Sequence, residues 1–349
     1  MVQFVGVKNV RDWIESQGLA TVFRGLARYI EDDFRRWPVF EKAPRIANHS
    51  SLGVIELMPS SDGTLYSFKY VNGHPQNFVH SRQTVTAFGV LADVASGYPL
   101  LLSEMTILTA LRTAATSALA AKYLARPNAK VMAIIGLGAQ SEFQALAFNT
   151  LLGIKTLRIY DVDPAATQKF TANLARFGLD ITVAPTAAEA VLGADIITTV
   201  TADKKKAVVL SDNMVGSGVH INAVGGDCPG KTELQRDILL RADVFVEYPE
   251  QTRVEGEIQQ MEPTFAVTEL WEVIAGHKQG RSSDRQITLF DSVGFATEDF
   301  STLRFVRDQI QGTAFYSEID LLAEPEDPRD LFGVLRGAVL ERPEDRAAA

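Results

Sequence analysis

Between about residues 45 and 100, hydrophobic and polar positions alternate with the short period of β-strands. Residues 54–58 and 65–71 are rich in β-forming side chains, and 84–92 resumes the same pattern. Turn residues interrupt these runs at 59–63 and at Asn72-Gly73. The pattern predicts an antiparallel meander, preceded by an N-terminal amphipathic helix with apolar positions at Leu19, Val22, Phe23 and Leu26.

From about residue 103 the pattern changes to helices that alternate with short buried strands. Ser103 is a suitable cap for a helix that ends before Pro127. The apolar run 130–135 is typical of a buried parallel strand. After it, the residues predict a helix over 139–152 closed by Gly153, a strand over 156–160, a helix capped by Asp163-Pro164, and strands at 181–184, 195–200, 218–223, 243–247 and 287–291.

This alternation predicts an α/β fold with a Rossmann-like, doubly wound parallel sheet, joined to a second α+β domain that has an antiparallel sheet. The change of pattern places the first domain at residues 1–115 and the Rossmann domain at 116–317. We expect residues 318–349 to return to the first domain. A chain of 349 residues with 46% hydrophobic and 22% charged positions has enough apolar surface for two such cores.

Charge and cysteine content narrow the classes of function. A net charge of −9 argues against a surface for nucleic acid or for an anionic membrane. Cys228 is the only cysteine, so an intrachain disulfide is impossible and a reducing compartment fits. The N-terminus has no apolar signal-peptide core, so we expect a soluble cytoplasmic protein. The five histidines lack metal-ligand spacing, and we expect no metal site.

A glycine-rich segment follows the predicted strand 130–135 and opens the next helix. Gly136 permits a tight turn, and Gly138 leaves room for a pyrophosphate at the helix N-terminus. Ser141, a small residue, occupies the position of the third glycine. Asp161 lies at the end of the second strand, where a carboxylate accepts hydrogen bonds from the adenosine ribose and disfavours a 2′-phosphate. The alternative is that Asp161 and Asp163 only form a solvated turn, but the arrangement favours NAD.

Charged residues in the strand-rich half allow two interpretations. Glu56 shares a strand face with Met58, and Lys69 shares one with Val71. From the pattern alone, charges that protect edge strands are the safer interpretation. Arg112 lies in an apolar helical stripe, so its guanidinium needs a partner. An anionic ligand and a structural salt bridge would serve equally well.

A loop rich in glycine and proline follows the predicted strand that ends at residue 223. Asp227 in this loop lies at the carboxyl end of that strand, where open α/β sheets bind ligands. A carboxylate there is suited to general acid/base chemistry. The alternative is an ordinary aspartate in a turn. Cys228 has no paired histidine motif, and we interpret it as a structural thiol.

Together these segments resemble the ornithine cyclodeaminase/mu-crystallin family from about residue 40 to 310. The resemblance rests on Arg45-Ile-Ala, Glu56-Leu-Met58, Phe68-Lys69-Tyr, Leu111-Arg112-Thr-Ala-Ala, Gly136-Leu-Gly-Ala-Gln140 and Ala223-Val-Gly-Gly-Asp227-Cys-Pro-Gly-Lys231-Thr-Glu-Leu. The last segment is more similar to the bacterial cyclodeaminases of this family than to its ketimine reductases or alanine dehydrogenases.

The resemblance implies a homodimer formed through the strand-rich domain, with the substrate cleft between the domains and NAD regenerated in each turnover. It implies that Arg45, Lys69 and Arg112 hold the α-carboxylate, that Glu56 meets an amino group, that Asp227 is the catalytic acid/base, and that Met58 and Val293 contact the substrate. The NAD contacts that it implies are Thr84, Arg112, Gly136, Gly138, Ala139, Gln140, Asp161, Thr201, Ala223, Val224, Gly225, Gly226, Lys231 and Ser292.

The implied activity is a lyase reaction that converts L-ornithine to L-proline and ammonia. Hydride leaves Cα for NAD, the δ-amine attacks the resulting imine, ammonia departs, and the hydride returns. The resemblance implies roles in proline biosynthesis and in arginine/ornithine catabolism. Three alternatives stay open: an NAD(P)H-dependent cyclic ketimine reductase, a lysine cyclodeaminase, and a non-enzymatic, crystallin-like protein that binds dinucleotides. Lysine differs from ornithine by one methylene, which a pocket discriminates by only about 1–3 kcal/mol.

Overall fold

The computed structural model describes residues 1–202 and 207–336 and contains two β-sheets with helices packed on them. The first half of the chain forms β1 (Val2–Val5), α1 (Val7–Gln17), α2 (Leu19–Arg35), β2 (Ile46–His49), β3 (Val54–Ser61), β4 (Leu65–Gly73), β5 (Val85–Asp93), β6 (Pro99–Glu104) and α3 (Thr106–Leu124).

The chain then forms β7 (Val131–Ile135), α4 (Ser141–Leu152), β8 (Thr156–Tyr160), α5 (Pro164–Leu174), β9 (Asp180–Val183), α6 (Ala187–Val191), β10 (Ile196–Thr199), β11 (His220–Ala223), α7 (Arg236–Arg241), β12 (Asp243–Val246), α8 (Pro249–Glu255), β13 (Thr268–Glu269), α9 (Leu270–Ile274), β14 (Thr288–Asp291), α10 (Ala296–Ile310) and β15 (Ser317–Ile319). Short 3-10 helices occupy Trp37–Val39, Pro75–His80, Asp212–Met214, Glu257–Gln260 and Leu331–Leu335.

The second sheet has the order β13-β12-β14-β11-β10-β7-β8-β9, and all its strand pairs are parallel. This confirms the predicted doubly wound sheet, and the strands predicted from 181 onward differ from the observed ones by at most two residues at either end. β8 lies on one side of β7 and β10 on the other, so the strand order reverses at β7. Ligands of such sheets bind at this reversal, beyond the carboxyl ends of the strands.

The first sheet has the order β15-β1-β6-β5-β4-β3-β2 and is mostly antiparallel, with one parallel pair between β1 and β6. It confirms the predicted antiparallel sheet. The pairing of Val2 with Ile319 brings the chain after α10 to the edge of this sheet. Residues 337–349, which belong to the segment expected to return here, lie outside the described residues.

Three local predictions in this half are wrong. Ser103 does not cap a helix but pairs with Gly89 inside β6, and α3 begins at Thr106. The predicted turn at 59–63 is mostly strand, because Pro59 pairs with Phe68 where β2 no longer flanks β3, so the missing N–H of proline breaks no ladder bond. Asn72 and Gly73 likewise continue β4.

Helices α3 and α10 connect the two sheets: α3 runs from β6 to β7, and α10 follows β14. α10 starts five residues after β14 of the parallel sheet and packs against α2, β3 and β4. Because its side chains cover one face of the antiparallel sheet, charged residues on that face are buried and close to the end of β14. In the part of the chain that the structure describes, no helix combines the length and apolarity that crossing a membrane requires.

Candidate active site

The turn after β7, residues 136–140, which we call the glycine turn, has the geometry of a phosphate-binding loop. Gly136 adopts φ +97°, and a Cβ there would lie 2.9 Å from the Thr201 backbone nitrogen. Gly138 is exposed, and a Cβ there would meet no atom within 4 Å. Gln140 carries a buried side-chain oxygen without a hydrogen-bond partner. The space at Gly138, the unpaired oxygen and the start of α4 fit a dinucleotide.

Asp161, predicted to meet the ribose, also holds the glycine turn. Its carboxylate accepts the Leu137 N–H at 2.6 Å and the Asp163 N–H at 2.8 Å. Each oxygen retains a second lone pair, so these bonds leave room for ribose hydroxyls. Asp163 caps α5 by accepting the Ala165 N–H at 2.9 Å, which confirms the predicted cap.

Glu233 joins the loops that follow β10 and β11. Its carboxylate accepts both the backbone N–H and the hydroxyl of Thr201. It also lies against Gly225, where any Cβ would collide with it. Lys231 donates to the Thr201 carbonyl at 3.0 Å. Thr201, Lys231 and the 223–226 turn are therefore one rigid unit beside the glycine turn, and Glu233 holds this unit together.

Lys69 and Arg112 are buried and share acidic partners on α10. The Lys69 ammonium donates to Asp299 at 2.8 Å. Arg112 Nη1 donates to Glu298 at 2.8 Å and Arg112 Nε donates to Asp299 at 3.0 Å. The interpretation of Lys69 and Glu56 as edge-strand charges is wrong, because β3 and β4 are paired on both sides at these positions and α10 covers this face. Arg112 has the structural salt bridge that was one of its two alternatives.

Arg45, the third predicted carboxylate ligand, is enclosed by acids and carbonyl groups. Its Nη1 donates to Glu56 at 3.0 Å, and its Nη2 donates to the carbonyl oxygens of Val293 and Gly294 at 2.6 and 2.7 Å. In addition, Arg45 Nε lies 3.0 Å from Glu255 Oε2. We call Arg45, Lys69 and Arg112 the cation cluster.

The loop between β14 and α10 brings the cation cluster together. Glu247, at the end of β12, accepts the Ser292 hydroxyl at 2.8 Å and the Gly294 N–H at 3.0 Å. Gly294 has φ +74°, and a Cβ there would collide with the Arg112 guanidinium, which lies directly against the backbone. Glycine is therefore needed at residue 294 for both conformation and space.

Asp227 lies beside Lys231 and close to Arg45 of the cation cluster. Its carboxylate is 3.3 Å from Lys231 Nζ, and its side chain is 54% exposed. Its charge also acts on both Arg45 and Glu255. An exposed carboxylate between a buried cation cluster and a nucleotide loop can exchange protons with a bound molecule.

The other predicted residues lie at the margins of these clusters. Met58 is buried two residues from Glu56 on the same strand face, and Ala139 is exposed in the glycine turn. Thr84 lies at the end of the β4–β5 connection, where its carbonyl accepts the His74 N–H at 2.8 Å. Among the described residues, no hydrogen bond or ion pair joins Thr84 to the glycine turn.

Burial and neighbouring charges shift the proton affinities of the site. Burial, reinforced by the positive charge of Arg112, lowers the pKa of Lys69 to about 8, although Asp299 opposes the shift. Burial also lowers the pKa of Arg45, but attraction to Glu56 and Glu255 outweighs it and leaves that pKa above its usual value. Burial raises the pKa of Glu255 to about 7 against the attraction of Arg45.

Sequence reasoning assigned no role to several acids that build the site. These are Glu233, Glu247, Glu255, Glu298 and Asp299. Glu247 directly follows a buried strand, so the rule that ligands lie at strand ends would have identified it. Glu233 lies in the motif segment that ends in Lys231-Thr-Glu-Leu, whereas Glu255, Glu298 and Asp299 carry no local signal. Within residues 1–202 and 207–336, no group of three or more His, Cys, Asp and Glu side chains is arranged to hold a metal ion.

Comparison with known proteins places this geometry in a family. The profile of the ornithine cyclodeaminase/mu-crystallin family matches residues 8–314. An ornithine cyclodeaminase of Agrobacterium fabrum is 66% identical over 335 residues, which is 96% of this chain and 95% of that protein. One from Brucella suis is 65% identical over the same length, covering 96% of this chain and 94% of its own.

Solved structures agree with the sequence comparison. A lysine cyclodeaminase, solved to explain recognition of L-lysine, L-ornithine and L-2,4-diaminobutyric acid, is 29% identical with a TM-score of 0.88, covering 94% of this chain and 98% of its own. A dimeric archaeal alanine dehydrogenase with bound NAD is 32% identical with a TM-score of 0.84, covering 92% of this chain and 99% of its own.

Proposed function

The chain belongs to the ornithine cyclodeaminase/mu-crystallin family, and from that premise we propose that it is an ornithine cyclodeaminase, an NAD-dependent lyase that converts L-ornithine to L-proline and ammonia. The structural observation that carries this proposal is the pair of buried carboxylates, Glu56 and Glu255, each 3.0 Å from the Arg45 guanidinium, with the exposed carboxylate of Asp227 nearby. A substrate with a second ammonium group needs such acceptors, whereas alanine has only a methyl group at that end.

Open space at Gly138 and the unpaired side-chain oxygen of Gln140 support NAD binding at the glycine turn. We propose that Gly136, Gly138, Ala139 and Gln140 hold the pyrophosphate and that Asp161 holds the adenosine ribose. The remaining proposed contacts are Thr84, Arg112, Thr201, Ala223, Val224, Gly225, Gly226, Lys231 and Ser292. Bound NAD would supply reversible hydride chemistry at Cα, first for oxidation of the substrate and then for reduction of the cyclic imine to proline. The loop residues orient the ring and exclude water.

We propose that the cation cluster binds the α-carboxylate, with Met58 and Val293 lining the pocket. Lys69 has donor capacity beyond its contact with Asp299, since an ammonium carries three N–H bonds. Arg112 Nη2 donates to no described residue. Arg45 would exchange one of its present partners for the substrate. Charge-assisted bonds from these residues would fix Cα in one orientation.

Asp227 is the proposed acid/base for the α-amino group. The side chain is half exposed and has only Lys231 as an ion-pair partner among the described residues, so it can approach a ligand without breaking a buried network. In this role it accepts a proton from the α-ammonium before Cα is oxidised, and Glu56 receives hydrogen bonds from an amino group. We propose that the substrate cleft lies between the two domains and aligns the side-chain nitrogen with Cα, which makes ring closure intramolecular.

The direct test is to incubate the purified protein with L-ornithine and catalytic NAD and to follow the products by NMR. Equal amounts of proline and ammonia with no accumulation of NADH are expected. NADH that accumulates in step with product, or unchanged ornithine, would contradict the proposal. Faster turnover of L-lysine would favour the lysine cyclodeaminase, and NADH consumption with a cyclic imine would favour the ketimine reductase.

We also propose that the chain is a homodimer, with residues 1–115 and 318–349 as the substrate-binding and dimerisation domain and 116–317 as the NAD domain. The support is the outer face of the antiparallel sheet, where Ile55, Leu57, Tyr66 and Phe88 are exposed. The opposite face of the same strands is buried. An apolar sheet face of this kind marks an interface, and a second copy of the chain would cover it. We place the enzyme in the cytoplasm, in ornithine catabolism to proline.

A further inference from the structure

Provided that the proposed function holds, ornithine must give up two protons before its ring closes, one from each ammonium group. The α-ammonium of ornithine loses one proton before Cα is oxidised to an iminium carbon. The side-chain ammonium loses another before its nitrogen lone pair forms the new bond to Cα. A proton moves from the ring nitrogen to the α-nitrogen, and the bond between Cα and the α-nitrogen then breaks, its electron pair leaving with ammonia. The hydride returns to Cα of the cyclic iminium. At the end one stored proton leaves as part of ammonium, and the other lies on the ring nitrogen of proline. Asp227 is the proposed acceptor of the proton from the α-ammonium.

We propose that Glu255 is the second proton acceptor, which deprotonates the side-chain ammonium of the substrate so that its nitrogen can attack Cα. Glu255 ends α8, and its side chain is buried beside Arg45, whose Nη2 donates to the backbone carbonyls of Val293 and Gly294. Because Val293 is a proposed pocket residue, Glu255 and the proposed substrate position both lie beside the Arg45 guanidinium.

The contacts of Glu255 leave it free to take up a proton. Its Oε2 lies 3.0 Å from Arg45 Nε, yet neither atom has a hydrogen-bond partner with proper geometry. A buried carboxylate oxygen without a hydrogen bond is costly, and it is an acceptor that a ligand N–H would satisfy. Glu56, by contrast, receives an aligned hydrogen bond from Arg45 Nη1 at 3.0 Å, so its Oε2 already has a partner.

The charged groups around Glu255 favour proton uptake near neutrality. Arg45 attracts its charge, whereas the carboxylates of Glu56 and Asp227 repel it. With burial as the largest effect, the pKa of Glu255 is raised to about 7. A base with a pKa close to the working pH transfers protons most effectively. The ionised form of Glu255 is lost as the pH falls through this value, so ring closure should slow on the acidic side.

The experiment follows cyclisation separately from the first oxidation in the full-length protein with bound NAD. In a single turnover of ornithine, Glu255→Gln should show the near-ultraviolet absorbance of reduced nicotinamide at the wild-type rate, but this absorbance should persist. Proline formation should fall about 10²-fold, which is typical for the loss of a general base. The acidic limb of the wild-type pH profile should disappear, and Glu255→Asp should restore part of the proline formation.

The controls distinguish failure of this inference from failure of the proposed function. Glu250→Gln removes an exposed carboxylate from the same helix and should behave as the wild type. Wild-type protein that forms no proline refutes the function itself. With an active wild type, normal proline formation and an unchanged pH profile in Glu255→Gln would overturn the inference. Loss of the absorbance change would also overturn it, because Glu255 would then only position Arg45. Persistent absorbance in Glu56→Gln but not in Glu255→Gln would assign the step to Glu56.

Discussion

Three glycine-to-alanine substitutions, two in the glycine turn and one at the end of α4, separate the conformational, steric and ligand-binding reasons for glycine. Gly136 combines a positive φ of +97° with a close approach to Thr201. Gly153, the C-cap of α4, has φ +72° but open space around its Cβ position. Gly138 has open space and no positive φ. The same methyl group is added at all three sites. Gly153→Ala therefore tests the backbone conformation, Gly138→Ala tests ligand binding, and the difference between Gly136→Ala and Gly153→Ala gives the steric requirement.

The expected loss of stability follows from these geometries. A left-handed backbone costs a non-glycine residue about 1–2 kcal/mol, and this is the whole cost expected for Gly153→Ala. At Gly136 the methyl group would also lie 2.9 Å from the Thr201 backbone nitrogen and the Val200 carbonyl carbon. Overpacking of this kind adds about 1–3 kcal/mol. Gly136→Ala should therefore lose about 2–5 kcal/mol, whereas Gly138→Ala should be as stable as the wild type or slightly more stable.

Thermal unfolding of the NAD-free protein measures the first two effects, and titration calorimetry with NAD measures the third. A domain of this size loses roughly 2–4 °C of Tm per kcal/mol, so Gly136→Ala should melt about 4–20 °C below the wild type. Gly138→Ala should keep its Tm but bind NAD at least about tenfold more weakly, which corresponds to 1.4 kcal/mol. Equal Tm values for Gly136→Ala and Gly153→Ala would refute the steric argument. Wild-type NAD affinity in Gly138→Ala would refute the proposed position of the pyrophosphate.

Three further predictions concern the substrate and the dimer. Asp227→Asn should abolish turnover of ornithine while NAD binding, measured by calorimetry, is retained; near-normal turnover would remove Asp227 from the mechanism. Because the pKa of Lys69 is lowered to about 8, its positive charge is lost as the pH rises through that value, and the wild-type KM for ornithine should increase above it. Lys69→Met should have a high KM without this additional rise, and an identical pH dependence in both proteins would contradict a role for the Lys69 charge. Leu57→Lys combined with Phe88→Glu places charges on the exposed sheet face and should give monomers in analytical ultracentrifugation, whereas an intact dimer would place the interface elsewhere.

The sequence alone predicts those elements whose signal lies within a few neighbouring residues. Strands β7 and β8, the turn at Gly136 and Gly138 and the Asp163 cap were all predicted within a few residues of their observed positions. Each depends on interactions between residues close in the chain: apolar periodicity, the φ that glycine permits, and a side chain that bonds to a nearby backbone N–H. The motif residues from 223 to 234 also identified the loop that carries Asp227.

Only the tertiary structure decided which charges are buried and how they are paired. Lys69 and Asp299 are 230 positions apart, and their contact exists because α10 crosses the antiparallel sheet after leaving β14. No periodicity within β4 reveals that this face is covered, so an exposed edge charge was the reasonable prediction. β6 was missed for the same reason, since Pro99–Glu104 is a strand only through its pairing with β5 and β1. Glu255 has no local motif, and its position beside Arg45 depends on where α8, which follows β12, meets the segment before β2.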